Sequence, residues 1–162
     1  MVILAVDPSF GLSASASKTG LALFYPDAKN EPALLEYGSL TGEQVADWEI
    51  RKFWLERAPT LIIEDQYVGQ NKKTSQGLTM AKAMWTVPAR DIFKLRVYEM
   101  KPIEWISLIQ RGWRIGHKKD KVSIEKYIRL RWKLGENVKL NHDEISAIAI
   151  GTAWMDREGI KG

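Results

Sequence analysis

The apolar positions of this chain fall into short runs in its first third and into helical spacing later. Val2–Val6 is one such run, closed by Asp7 and Pro8, and predicts a buried strand followed by a turn. Ser9–Lys18 is rich in Ser, Ala and Gly and predicts a flexible loop. Thr19–Tyr25 predicts a second strand and Ala33–Leu40 a third. The Pro, Asp and Asn residues between these two suit a hairpin connection. Thr60–Glu64 is another continuous apolar run ending in an acid, the pattern of a central strand covered on both faces. Leu95–Met100 predicts a fifth strand.

Between and after these runs the spacing becomes helical. Val45, Trp48, Phe53 and Leu55 mark an imperfect apolar face on a helix over Gly42–Arg57, ended by Pro59. Gln66–Gln76 is polar and predicts a loop. A helix follows from about Gln76, and Pro88 is expected to kink or break it. Pro102 suits the first turn of a short helix to Gln110. Arg111–Asp120 predicts a basic loop, and Lys121–Leu134 and Glu144–Arg157 predict two closing helices. Three strands in a meander feeding strand–helix units give an α/β fold: a mixed five-stranded sheet with helices on both faces.

The length of 162 residues fits one domain over 1–162, with no repeat or linker to divide it. The absence of cysteine excludes a disulfide framework and thiolate metal sites. Two histidines exclude a multi-histidine metal centre. No run approaches the roughly 18 apolar residues of a membrane span, and no secretory leader is visible, so a soluble cytoplasmic protein without membrane partners is expected. Charge changes the picture more. The net +4 hides a division: residues 1–65 carry five Lys or Arg against ten Asp or Glu, and the rest carry nineteen against ten. An acidic centre beside a basic docking surface would produce this division, as would a solvated basic helix face.

Asp7 and Glu64 each end an otherwise apolar strand. In a sheet the ends of adjacent strands lie about 5 Å apart, where two carboxylates repel unless a cation sits between them. Taken singly, each is better read as a strand-end carboxylate that caps a turn or binds a helix N-terminus; their joint placement on the two most apolar strands shifts the balance toward a metal. Asn141 and Glu144 match a helix capping box, which puts Asp143 in the first turn of the last helix. There it could complement the helix dipole or act as a third metal ligand. Three separated acids suit Mg²⁺, a hard ion that prefers oxygen. Carboxylate-held divalent ions can activate water against a phosphodiester. The segment Arg111–Lys121 holds five Lys or Arg, a His and a Trp, a composition suited to phosphate contacts and base stacking. Arg111, Arg114, Lys118, Lys119 and Lys121 are its candidate DNA contacts, joined by Lys72 and Lys73. Trp48, Trp54, Trp85, Trp105, Trp132 and Trp154 lie in helical contexts and are read as core or dimer seam.

These segments together resemble the RuvC family of Holliday junction resolvases, of ribonuclease H-like fold. Ile3-Leu4-Ala5-Val6-Asp7-Pro8 and Thr19–Phe24 are similar to the family's first hairpin. Ile62–Asn71 is similar to its fourth strand and following loop, and Asp143–Gly151 to its closing helix. The resemblance runs in order along nearly the whole chain. It implies that Asp7, Glu64 and Asp143 bind metal and that Tyr67 meets an unstacked base at the junction. Lys121, or alternatively Lys118, would be the lysine near the scissile phosphate. It further implies a homodimer that cuts two symmetric strands of a four-way junction, with about two Mg²⁺ per site and Mn²⁺ as a substitute. Bacterial members work with a branch-migration partner, for which the chain carries no sign. A phage-encoded member would suit so divergent a sequence.

The chain departs from the family at three points. Ser9 replaces a glycine after Asp-Pro, the Ser9–Lys18 loop is long, and Ser146 stands where a second acid follows Asp143 by three. His142 and Glu144 are therefore candidates for a fourth ligand. Competing readings are a nuclease of other branched DNA or RNA–DNA hybrids, a non-catalytic junction-binding module, and an actin-like ATPase. The last normally needs two such domains.

Overall fold

The structure is a computed structural model that describes residues 1–8, 18–27, 31–65, 72–113 and 121–160, side chains excepted at 72–75, 111–113 and 121. Its strands are β1 (Ile3–Asp7), β2 (Lys18–Tyr25), β3 (Ala33–Thr41), β4 (Thr60–Glu64) and β5 (Arg96–Met100). They form one mixed sheet in the order β3-β2-β1-β4-β5. β1 pairs antiparallel with β2 and parallel with β4, and β4 runs parallel with β5. All five residues of β4 are buried, as its unbroken apolar run requires of a strand covered on both sides.

Strand alternation divides the sheet into two faces. Ile3, Ala5, Ala22, Phe24, Ile62 and Met100 turn one way, toward α4 (Pro102–Trp113), α5 (Lys121–Arg131) and α6 (His142–Arg157). Leu4, Val6, Leu21, Leu23, Leu61 and Ile63 turn the other way, toward α1 (Gly42–Ala46), α2 (Trp48–Leu55) and α3 (Lys72–Asp91). Helices thus cover both faces, as expected. α6 is buried from Ala147 through Met155, and Gly151 lets it lie against Phe24, where a Cβ would overlap the ring. Trp54, Trp85, Trp105 and Trp154 are buried, in agreement with a core role for the helical tryptophans.

Most element ends shift by one to three residues, and larger differences from the sequence reading fall in the helices. The helix expected over Gly42–Arg57 is two helices. Asp47 has extended backbone, ends α1, and caps α2 by accepting a bond from the Glu49 N–H at 3.0 Å. Phe53, assigned to the apolar face, is exposed, and its neighbour Trp54 is buried instead. The helix expected from Gln76 begins at Lys72 and continues across Pro88 without a break. Proline leaves the carbonyl four residues earlier without its helical donor. That carbonyl belongs to Met84, and Arg51 of α2 donates to it at 2.7 Å. Finally, α4 runs on to Trp113, so the first three residues of the expected basic loop are helical; 114–120 lie outside the described residues.

Candidate active site

The parallel register of β1 and β4 pairs Val6 with Ile63, so Asp7 and Glu64 follow side by side at the ends of neighbouring strands. Each lies two residues beyond a side chain of the α4–α6 face, Ala5 and Ile62 respectively. Both acids therefore turn to that face, with backbones about 4.8 Å apart across the ladder. Asp7 is partly exposed and Glu64 is 7% exposed.

Asp143 arrives from the other direction. Asp7 pairs with Gly20 of β2, and the Asp143 main chain sits directly on Gly20: a Cβ there would overlap the Asp143 carbonyl. A glycine inside a strand marks such a close backbone approach. The α6 N-terminus is fixed by the expected capping box. The Asn141 side chain accepts from Glu144 N–H at 2.9 Å, and Glu144 Oε1 accepts from Asn141 N–H at 3.0 Å. Asn141 Nδ2 also donates to Ser39 of β3 at 2.9 Å, which ties the cap to the sheet. Burial pushes the Asp143 carboxyl above its ordinary range, opposed by the positive charges of Lys18 and His142.

Two hollows flank these acids. One, of about 170 Å³, is lined by Trp105, Val122, Glu125, His142, Asp143 and Ser146 among others. The other, of about 310 Å³, opens on the α3 side of Glu64 and includes Pro8, Asp65, Lys82, Thr86 and Glu99. Across the strand end from Glu64, Lys82 bridges Asp65 and Glu99, 3.0 Å from each. Burial works against the Lys82 charge, but the two carboxylates outweigh it and hold the ammonium above its usual range. Glu64 has a different neighbour: Oε2 accepts a bond from the Trp105 indole N–H at 2.7 Å, and both residues are buried.

The donors gathered at this end of the sheet are carboxylate oxygens, suited to a hard divalent ion. Desolvation of Asp143 and the adjacency of Asp7 and Glu64 are both costs that a cation would relieve. Asp7, Glu64 and Asp143 share a face and an end of the sheet rather than a closed coordination sphere. Among the described residues, no three His, Asp or Glu side chains form a group that could hold a metal ion. Of the candidates for a fourth ligand, Glu144 is engaged by its capping box, whereas His142 lines the same hollow as Asp143 and Ser146.

Among the basic candidates, Lys72 and Lys73 open α3, Arg111 lies in the last turn of α4 and Lys121 is the first residue of α5. α5 also supplies Val122 and Glu125 to the hollow beside Asp143. Tyr67, Arg114, Lys118 and Lys119 lie outside the described residues. Trp105, Lys82, Lys18 and Gly20 were not singled out from sequence. Gly20 carried a usable signal, as a glycine within a strand run; nothing distinguished Trp105 from six other tryptophans.

No family model matches the chain, and no curated protein matches it in sequence. Solved structures do match. RuvC of Thermus thermophilus superposes with a TM-score of 0.71 at 19% identity, covering 99% of this chain and 98% of that one. The same protein in complex with a Holliday junction substrate gives 0.71 at 17% identity, covering 99% and 97%. The yeast mitochondrial Holliday junction resolvase gives 0.65 at 13% identity, covering 97% of this chain and 78% of its own. The likeness extends over the whole sheet and its helices, and the chain has the fold of the RuvC resolvases, a ribonuclease H-like mixed sheet with helices on both faces.

Proposed function

We propose that residues 1–162 are one nuclease domain of the RuvC family that resolves four-way DNA junctions by metal-dependent hydrolysis. The observation that carries this reading is the placement of Asp7 and Glu64 on adjacent strand ends, with Asp143 seated over Gly20 beside them. The neighbours' titles name a Holliday junction substrate and a Holliday junction resolvase, which supports the choice of substrate.

In this reading Asp7, Glu64 and Asp143 hold divalent ions, about two Mg²⁺ per site with Mn²⁺ as a substitute, and His142 is the candidate for a further ligand. Such ions polarise a phosphodiester and lower the pKa of bound water. The chain's own side chains bind and orient the substrate. Lys121 approaches the scissile phosphate from the start of α5. Lys72, Lys73, Arg111, Arg114, Lys118 and Lys119 neutralise the phosphate backbone. Tyr67 stacks on an unpaired base at the branch. A second copy of the chain supplies the second cut, since a two-fold junction calls for a two-fold enzyme. Met80 and Val87 of α3, both more than half exposed and seven residues apart on one helix face, suit a seam between copies. In this reading the chain acts in the cytoplasm; no helix among the described residues is long and apolar enough to cross a membrane.

Ser146 favours one rival, a junction-binding module without cleavage, because it puts a hydroxyl where the family carries an acid. An end-labelled four-way junction, a flap, an RNA–DNA hybrid and a linear duplex, incubated in Mg²⁺, separate the readings. Paired symmetric nicks in the junction alone are expected. Binding without cutting in both Mg²⁺ and Mn²⁺ would transfer the reading to the binding module. Equal cutting of all branches would widen the substrate.

A further inference from the structure

We propose that Trp105 is a positioning residue whose indole N–H holds one oxygen of Glu64 and presents the other to a divalent ion. The inference rests on the metal-dependent reading above and goes beyond it, since that reading assigns no role to any tryptophan. The geometry is specific. The Trp105 Nε1–Glu64 Oε2 bond is 2.7 Å long and buried, and Trp105 is 2% exposed. The same indole lines the hollow that holds Asp143, His142 and Ser146, so it bonds to one of the three acids and shares a hollow with another. A donor on Oε2 limits how that carboxylate can turn and favours coordination through Oε1. Hydrogen bonds of this kind orient metal-ligating carboxylates, and removing them typically costs ten- to a hundredfold in metal affinity.

Trp154 supplies a matched control. It is buried in α6, 5% exposed, and its indole nitrogen is buried without a hydrogen-bond partner. Trp105→Phe and Trp154→Phe each remove an indole from the core, but only the first removes a bond to a carboxylate. Mn²⁺ binding by the wild-type chain and both variants is measured by calorimetry, beside thermal unfolding and junction cleavage. Trp105→Phe should weaken Mn²⁺ binding by about ten- to a hundredfold. Trp154→Phe should leave it within about twofold, because no carboxylate loses a donor. In a Glu64→Gln background the Trp105→Phe effect should vanish, because the coupled partner is gone. Equal effects of the two tryptophan variants, or undiminished binding by Trp105→Phe, would overturn the proposal.

A second readout needs no change at Trp105. The ¹⁵N indole resonance of Trp105 should move on saturation with Mg²⁺ while that of Trp154 stays. A stationary Trp105 resonance in a chain that does bind Mg²⁺ also overturns the proposal and leaves the nuclease reading standing. Failure of the wild-type chain to bind any divalent ion overturns both.

Discussion

Glu64 and Asp65 are consecutive carboxylates at the end of one strand, and their surroundings differ. Alternation turns Glu64 to the α4–α6 face, where it is buried against Trp105 near Asp7 and Asp143. It turns Asp65 to the α3 face, where Lys82 holds it together with Glu99, and Arg90 approaches Glu99 at 3.5 Å. On the second face the acids are held in direct ion pairs. On the first face, desolvation raises the Asp143 carboxyl, and Lys18 and His142 oppose it. Strand parity thus separates two consecutive acids, one paired with a lysine and the other with an indole.

The sharpest way to break that comparison is to neutralise the two neighbours in turn. Glu64→Gln should lower single-turnover cleavage of a four-way junction by about a thousandfold or more, because a lost metal ligand removes several kcal/mol of transition-state stabilisation. Asp65→Asn should change the same rate by less than about tenfold and cost at most about 1 kcal/mol of stability in urea unfolding, since its ion pair is partly solvent-exposed. Comparable loss of cleavage in both variants would erase the distinction between the faces.

Gly20→Ala tests whether the third acid depends on the sheet. A methyl group there meets the Asp143 main chain, and overpacking of this kind costs about 1–3 kcal/mol. Cleavage should fall along with stability, because the α6 N-terminus must move. Gly151→Ala overlaps Phe24 further along the same helix and should cost similar stability with less effect on cleavage per unit of stability lost.

A smaller effect concerns Asp156, an acid of α6 remote from the strand ends. Burial first, and then the Asp156 charge, push the Tyr127 hydroxyl up to about 12, and Tyr127 donates to Asp156 Oδ2 at 3.0 Å. The folded state therefore keeps a proton that the unfolded chain releases near pH 10. This stability is present below pH 10 and is lost as pH rises from there to about 12. Tyr127→Phe should flatten that alkaline limb in thermal unfolding scans, with cleavage at neutral pH unchanged.

The strands and the acids at their ends were legible because a strand buried on both faces leaves an unbroken apolar run, and an acid that stops the run stands out. The Asn141–Glu144 capping box was legible because its signal is local. The features that were not legible are tertiary. Arg51 makes Pro88 tolerable by reaching the Met84 carbonyl from another helix. The pairing of Trp105 with Glu64 joins residues 41 positions apart. No periodicity encodes it. The division of Glu64 from Asp65 needed only strand parity, yet its meaning depended on Lys82 arriving from α3.

The most direct test of the central claim places the wild-type chain and Asp7→Asn side by side on an end-labelled four-way junction in Mg²⁺, with binding measured on the same samples. The account predicts paired symmetric nicks by the wild-type chain, and for Asp7→Asn undiminished junction binding with no cleavage. Cleavage by Asp7→Asn at the wild-type rate would contradict it.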